Sequence, residues 1–149
     1  MLRPGDRAPD FKLPGDGGHE VRLACLLVNG PLILYFYPAD FTPGCTREAC
    51  DIRELHEAIC TAGLDVVGVS PQSADSHRRF RERYHLPFTL LSDPEKRVIR
   101  AYGVDGPLGF GVRRATFFVH SDGRIANAVC ADFRTGRHVT FIENILAER

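Results

Sequence analysis

The chain has 149 residues, of which 44% are hydrophobic and 26% are charged, the balance of an ordinary globular protein. Its length predicts one domain that spans residues 1–149. Nineteen basic and nineteen acidic residues give no net charge, and therefore no overall positive field for nucleic acid. The longest apolar run, Leu32–Tyr37, is too short to cross a membrane, and the first ten residues lack an apolar signal segment. We therefore expect a cytoplasmic protein with neither membrane nor nucleic-acid partners.

The first strong pattern is a strand, a helix and a second strand. Leu32–Tyr37 is a continuous apolar run that ends at Pro38, as is typical of a buried central strand. From Cys45 to about Thr61, apolar residues recur every three or four positions, which predicts an amphipathic helix. Leu64–Ser70 is a second apolar run. A strand–helix–strand unit of this length predicts two parallel strands with a right-handed crossover.

The rest of the chain predicts three more helices and three more strands. A helix over Ala74–Tyr84 contains a basic run, which we interpret as a solvated helix face rather than an anion-binding patch. An Asp-Gly pair between two β-prone runs predicts a hairpin. The predicted elements are the helices Ala74–Tyr84, Pro94–Tyr102 and His138–Ala147 and the strands Phe88–Leu91, Ala115–His120 and Ile125–Val129. Together they predict an α/β domain with a mixed central sheet and helices on both faces.

The five cysteines indicate thiol chemistry. Their number is odd, no signal peptide is apparent and no C-x-x-C pair occurs, which disfavours a disulfide framework, a zinc ribbon and a thioredoxin-type dithiol. The six histidines show no paired metal spacing, and we expect no metal. Cys45 follows a predicted strand and opens a predicted helix, where the helix dipole and free N–H groups favour a thiolate. It is therefore the best nucleophile candidate, and a buried structural cysteine is the alternative.

The residues around Cys45 resemble a known active-site motif. Pro38-x-x-x-Thr42-x-x-Cys45 is similar to the motif of the peroxiredoxins, thiol peroxidases with a thioredoxin-like fold. The longer string from Tyr37 to Cys50 resembles the Q-type subgroup, also called the bacterioferritin comigratory proteins. Further similar segments follow the same order along nearly the whole chain: Gly5–Phe11, Leu90–Asp93 and Arg114–Phe117. The resemblance implies a thioredoxin-like fold and the reduction of hydrogen peroxide and organic hydroperoxides without a metal or a bound organic cofactor.

The resemblance implies a role for each residue of the motif. Cys45 matches the peroxidatic cysteine, which attacks the terminal oxygen of a hydroperoxide and becomes a sulfenic acid. The Thr42 hydroxyl would accept a hydrogen bond from the peroxide and donate toward the thiolate, although Thr42 could instead cap the helix. Pro38 would shield the thiolate from water, or it could simply end the strand.

Two charged residues complete the site that the resemblance implies. Arg114 matches the arginine that stabilises the thiolate and the developing alkoxide, and it fits the family spacing better than its neighbour Arg113. Glu48 lies three residues after Cys45, on the adjoining helical turn, and could hold Arg114 in place. A solvated carboxylate on the helix surface is the alternative interpretation of Glu48.

Cys50 matches the resolving cysteine of Q-type proteins, which forms a disulfide with the peroxidatic cysteine. Five helical residues separate the two Cα atoms by about 8.6 Å, whereas a disulfide needs less than ~7 Å. The first turns of the helix would therefore have to unwind in every cycle, next to Pro43 and Gly44. The resemblance also implies a thioredoxin-like protein as reductant and a monomer or weak dimer.

Two other functions stay open at this point. Cys50 could be incidental in a one-cysteine peroxidase, and the same thiolate could serve a redox sensor that passes its oxidation to a protein partner. Cys25, Cys60 and Cys130 match no motif. Cys60 continues the apolar side of the helix, which predicts a place in the core.

Overall fold

The computed structural model describes all residues from Met1 to Arg149. The strands are β1 (Lys12–Pro14), β2 (Glu20–Arg22), β3 (Leu32–Phe36), β4 (Asp65–Ser70), β5 (Thr89–Ser92), β6 (Ala115–Val119) and β7 (Ile125–Cys130). The helices are α1 (Leu23–Leu27), α2 (Pro43–Thr61), α3 (Ala74–Tyr84), α4 (Arg97–Ala101) and α5 (Thr135–Ala147), and a single 3₁₀ turn lies at Pro107–Gly109. None of the helices combines the length and the hydropathy that a membrane crossing requires.

Five strands form the central sheet, in the order β5-β4-β3-β6-β7. β4 lies parallel to both β3 and β5, whereas β6 runs antiparallel to its neighbours β3 and β7. The predicted mixed sheet, its parallel strand–helix–strand unit and the Asp-Gly hairpin are therefore confirmed. The carboxyl ends of the three parallel strands meet at one edge of the sheet, where α/β proteins place their sites.

Both faces of the sheet are covered, because the side chains of each strand alternate between them. Leu34 of β3 belongs to one buried cluster, together with Ile99 of α4. Tyr35, its neighbour in the strand, belongs to the opposite cluster, together with Ile52 of α2 and Ile142 of α5. The prediction of helices on both faces is therefore confirmed.

The structure also contains elements that the sequence patterns do not predict. β1, β2 and α1 are only three to five residues long, too short for a periodic pattern to develop. The predicted helix Pro94–Tyr102 is shorter in the structure, where only α4 is helical. Lys96, directly before α4, adopts a left-handed conformation with φ 59°, which prevents an earlier start of the helix. The last helix begins at Thr135, three residues before its predicted start.

Two predictions of burial are wrong. Cys60 lies on the exposed side of α2, since Ile59 takes the buried position and one residue turns the helix by about 100°. His77 opens the predicted basic run but is fully buried, while Arg78 and Arg79 after it are exposed. The run is therefore solvated only in part, and His77 is available for contacts inside the protein.

Two glycines offer a matched test of the packing at the start of β3. Gly30 has φ 136°, and a Cβ there would lie 2.5 Å from the carbonyl oxygen of Gly63, so two backbone segments touch directly. We expect Gly30→Ala to lower the free energy of unfolding by about 2 kcal/mol or more. Gly136→Ala should instead raise it by about 0.5 kcal/mol, because this helical glycine has open space around it. Urea unfolding of the reduced proteins measures both changes, and equal stabilities of the two variants would contradict the packing argument.

Candidate active site

Cys45 lies where the chain leaves β3 and enters α2. Pro43 occupies the first position of the helix, where a backbone N–H is not needed. The helix therefore begins two residues before its predicted start, and Cys45 lies within the first turn. Cys45 is only 2% exposed. The free N–H groups and the dipole at this end of the helix stabilise a negative charge on the sulfur.

One guanidinium group joins this sulfur to a buried carboxyl group. Arg114 directly precedes β6, the antiparallel neighbour of β3. Its Nη2 donates to Cys45 Sγ over 3.3 Å, and its Nη1 donates to Glu48 Oε1 over 2.7 Å. Burial opposes the charge of Arg114, but Glu48 and Cys45 raise its pKa above the ordinary value. The fold thus brings three of the sequence-predicted site residues into direct contact.

Glu48 is fully buried, which excludes the interpretation of this residue as a solvated carboxylate. Burial raises the pKa of Glu48 to about 7, although Arg114 lowers it in part. Its Oε1 accepts from Arg114, whereas its Oε2 has no hydrogen-bond partner. His138 of α5 also lies near that second oxygen, with its Nδ1 3.7 Å away. The carboxyl group is therefore hydrogen-bonded on one side only.

Asp132, in the loop after β7, fixes the orientation of Arg114. The backbone N–H of Arg114 donates to Asp132 Oδ1 over 3.0 Å, and the Nε donates to the Asp132 carbonyl over 3.2 Å. Arg113, the other arginine considered from the sequence, is exposed and binds Asp132 Oδ2 at 3.4 Å. The arginine that contacts Cys45 is therefore Arg114. No sequence pattern singles out Asp132, because its partners lie 18 or more positions away along the chain.

An open cleft of about 630 Å³ borders this group, and its walls include Pro38, Thr42, Gly44 and Arg114. Pro38 is half-buried in the wall. Thr42 directly precedes α2, but its hydroxyl does not cap the helix, since it donates to the carbonyl of Ala39 over 3.0 Å. The expected donation from Thr42 toward the thiolate is therefore wrong for this structure. The Thr42 oxygen keeps lone pairs with which it can accept a hydrogen bond from a molecule in the cleft.

Exposed apolar side chains lie at the outer part of the cleft. Phe110 and Phe133 line it and are 78% and 98% exposed. Leu108, two residues before Phe110 in the chain, is also exposed and has a left-handed backbone. The cleft can therefore receive a molecule whose polar end meets Arg114 and whose other end is apolar.

Asp40 anchors the loop between β3 and α2 from the inside, although sequence reasoning did not identify it. Its Oδ1 accepts from the Tyr37 hydroxyl, and its Oδ2 accepts from Ser76 and from His77 Nδ1, each over 2.7 Å. His77 Nε2 in turn lies 3.0 Å from the carbonyl of Leu91. The loop is thereby tied to α3 and β5. A histidine three residues before Phe80, on the apolar side of α3, is the signal that could have indicated this network.

The other four cysteines are free thiols in different settings. Cys50 lies five residues after Cys45 on the same unbroken helix and is half-buried. Cys25 and Cys60 are exposed, and burial raises the pKa of Cys130. None of the five cysteines, Cys45 included, is among the residues that line the cleft. Helical geometry separates the Cα atoms of Cys45 and Cys50 by about 8.6 Å, so Cys50 can reach Cys45 only if the chain moves.

Comparison with known proteins gives a consistent result. The sequence model of the AhpC/TSA family matches residues 4–128. Peroxiredoxin Bcp of Bacillus subtilis is 41% identical over 127 residues, which cover 81% of this chain and 80% of the relative.

Two solved structures are also similar. The peroxidoxin BcpB of Mycobacterium tuberculosis has a TM-score of 0.92 at 34% identity and covers 99% of this chain and 98% of its own. Peroxiredoxin Q of Xanthomonas campestris has a TM-score of 0.87 at 28% identity, with coverage of 100% and 96%. The predicted thioredoxin-like fold and the family resemblance are confirmed.

The buried carboxyl group of Glu48 predicts a pH dependence of stability. The pKa of Glu48 is raised from 4.5 to about 7 in the folded protein, so between these values the folded protein binds a proton that the unfolded chain has released. The contribution of Glu48 to the free energy of unfolding is therefore fully present below pH 4.5. It is lost as the pH rises through 7, by about 3 kcal/mol at most. Glu48→Gln mimics the protonated carboxyl and should flatten this fall.

The measurement is urea unfolding of the reduced wild type and variant across this pH range. Glu57→Gln, at an exposed position of the same helix, is the matched control and should keep the wild-type slope. Identical slopes for Glu48→Gln and the wild type would contradict the raised pKa of Glu48.

Proposed function

The chain belongs to the AhpC/TSA family and is a thiol-dependent peroxidase, and we propose that Cys45 is the thiol that reduces the hydroperoxide. The substrate is a peroxide, and the electrons come from a thiol reductant. The observation that carries the proposal is the hydrogen bond from Arg114 to Cys45 Sγ. A cation beside a buried sulfur favours the thiolate, which is the nucleophilic form of cysteine.

In the proposed reaction, the Cys45 thiolate attacks the terminal oxygen of the hydroperoxide. A sulfur–oxygen bond forms while the oxygen–oxygen bond breaks, and the leaving hydroxide or alkoxide takes up a proton to become water or an alcohol. Cys45 becomes a sulfenic acid, so the sulfur is oxidised by two electrons and the peroxide is reduced by two. Arg114 lines the cleft beside the sulfur, where its charge can stabilise the negative charge that moves to the leaving oxygen.

Three further residues position the reacting groups in this proposal. Thr42 donates its own proton to Ala39, so its oxygen can accept a hydrogen bond from the hydroperoxide. Pro38 has no N–H to attract water and borders the cleft, where it helps to shield the sulfur. Glu48 holds one arm of the guanidinium, which keeps the other arm directed at Cys45.

We also propose that Cys50 resolves the sulfenic acid. Its thiol attacks the sulfur of Cys45, a disulfide forms, and the sulfenic oxygen leaves as water. Both cysteines lie in α2, where helical geometry separates their Cα atoms by about 8.6 Å, more than the ~7 Å that a disulfide spans. The first turns of α2 therefore unwind before the bond forms. Ile52 and Ile59 are core residues and hold the rest of the helix in place.

A thioredoxin-like protein is the proposed reductant of this disulfide. Its dithiol exchanges with the Cys45–Cys50 bond, which restores both thiols and leaves the reductant as a disulfide.

We propose further that residues 1–149 act as one domain, as a monomer or weak dimer, in the cytoplasm. Five free cysteines support a reducing compartment. The two buried clusters that share β3 support a single domain.

Cys45→Ser should abolish peroxidase turnover, because an alcohol is a far weaker nucleophile than a thiolate at neutral pH. The measurement is the consumption of hydrogen peroxide and of an organic hydroperoxide with thioredoxin, thioredoxin reductase and NADPH supplied. Cys25→Ser, at an exposed thiol outside the cleft, is the matched control and should keep the wild-type rate. Substantial activity in Cys45→Ser would place the reactive thiol elsewhere. A wild type that consumes only one equivalent of peroxide would indicate a redox sensor instead of an enzyme.

Cys50→Ser should react once with peroxide, stop at a sulfenic acid on Cys45 and lose most of the turnover that thioredoxin supports. A sulfenic acid without a nearby thiol waits for a slower reductant or is oxidised further. Trapping with dimedone and mass spectrometry identifies this product, and Cys60→Ser, at an exposed thiol of the same helix, serves as control. Full turnover in Cys50→Ser would favour a one-cysteine mechanism.

The wild type, treated with one equivalent of peroxide, should form the Cys45–Cys50 bond and lose protection from hydrogen exchange around residues 45–51. Peptide mapping and hydrogen exchange of the two redox forms test these two parts separately. A bond from Cys45 to Cys25, Cys60 or Cys130 would overturn the assignment of Cys50. Unchanged exchange at the start of α2, with the 45–50 bond present, would overturn the unwinding step alone.

A further inference from the structure

A second buried histidine, which the proposed reaction does not use, lies beside Glu48. His138 of α5 is fully buried, and its Nε2 lies 2.9 Å from the carbonyl oxygen of Ala131. Because a carbonyl oxygen only accepts, Nε2 carries a hydrogen. Burial lowers the pKa of His138, which favours the neutral ring. Its Nδ1 is then unprotonated and accepts from the Thr116 hydroxyl over 2.8 Å.

This arrangement places an electron-rich nitrogen close to a carboxyl oxygen. Glu48 Oε2 is 3.7 Å from His138 Nδ1 and has no hydrogen-bond partner. A carboxylate charge on Oε2 would lie close to the partial negative charge of Nδ1 and would find no donor, because the lone pair of Nδ1 already accepts from Thr116. A proton on Oε2 removes the carboxylate charge and with it this repulsion.

We propose that His138 is a positioning residue: its unprotonated Nδ1 favours the neutral carboxyl form of Glu48, so that the positive charge of Arg114 acts on Cys45 alone. The neutral carboxyl still accepts from Arg114 Nη1 through Oε1, so the guanidinium keeps its orientation. The positive charge of Arg114 is then no longer offset by a carboxylate next to the Cys45 thiolate. The inference rests on the proposed role of Cys45 as the reactive thiol.

Other charged and titratable groups surround the two residues on several elements. They are Cys45 and Asp51 on α2, Tyr35 on β3, Arg114 before β6, Asp132 after β7 and Arg137 on α5. Arg114 favours the ionised form of Glu48, while burial and Asp51 disfavour it. Arg114 and Arg137 favour the neutral form of His138, while Asp132 opposes it. His138 therefore acts on Glu48 in the same direction as burial and against Arg114.

The decisive measurement is the titration of the Glu48 carboxyl, followed by NMR in reduced protein with ¹³C-labelled glutamate and ¹⁵N-labelled histidine. We expect His138 to stay neutral, with its hydrogen on Nε2, while Glu48 titrates. In His138→Phe, the midpoint of the Glu48 titration should fall by about one pH unit, because the partial negative charge of Nδ1 no longer disfavours the carboxylate. In Thr116→Val, Nδ1 is free to accept the Glu48 proton, and the midpoint should rise. His120→Asn, at an exposed histidine, should leave it unchanged.

A rise of the midpoint in His138→Phe would show that the ring is a cation in the wild type and would overturn the proposal. An unchanged midpoint would overturn it as well. If His138→Phe does not fold, Thr116→Val carries the test through its opposite sign, and a midpoint that stays or falls there rejects the proposal. These spectra do not depend on turnover, so they separate this inference from the role of Cys45.

The reaction rate provides a second readout. Single-turnover reduction of hydrogen peroxide, followed by stopped flow across the pH range, should slow in His138→Phe by up to about tenfold near neutral pH. The rate should approach that of the wild type at lower pH, where Glu48 is protonated in both proteins. An equal slowing at every pH would indicate only structural damage and would overturn the positioning role.

Discussion

The guanidinium group of Arg114 is the interaction on which the site depends. It donates to Cys45 and Glu48 of α2 and is held by the loop after β7. A planar group with donors in a fixed fork can serve several acceptors at once, which a lysine ammonium cannot do with the same geometry. The register of the sheet places Arg114 at this site, because Phe36 and Ala115 are paired across β3 and β6. The residue just before β6 therefore lies beside the residue just after β3, next to the start of α2.

Two buried polar networks lie on either side of the start of α2 and have different consequences. Asp40 is held by three donors and keeps the preceding loop, with Thr42, tied to α3. Glu48 lies inside the segment that has to unwind in the proposed cycle, so its contact with Arg114 is lost when Cys45 and Cys50 join. In the proposed cycle the loop that carries Thr42 can thus stay rigid while the helix next to it opens. A single continuous network across both segments would oppose that opening.

The parts of the fold that could be predicted from the sequence are those that rest on local periodicity. The apolar run of β3 and the spacing along α2 are local patterns, and they suffice to place Cys45 at the start of a helix. Glu48 stayed ambiguous, because burial of one helical carboxylate depends on what packs against it from β6 and α5. Asp132 and His138 were missed for the same reason, since their partners lie far away along the chain. The direction of the Thr42 hydroxyl depends on the backbone of the preceding loop, which no spacing rule describes.

The aromatic composition of the protein provides a built-in optical signal. The chain has no tryptophan, so its near-ultraviolet absorption and emission come mainly from four tyrosines. Tyr35 and Tyr37 stack with their ring centres 5.4 Å apart, and both belong to the buried cluster that contains Cys45. In the proposed cycle the first turns of α2 leave that cluster, so the surroundings of these two rings would change with them. Tyrosine emission would therefore follow the proposed opening and closing of the site in real time, without a label and without any added tryptophan.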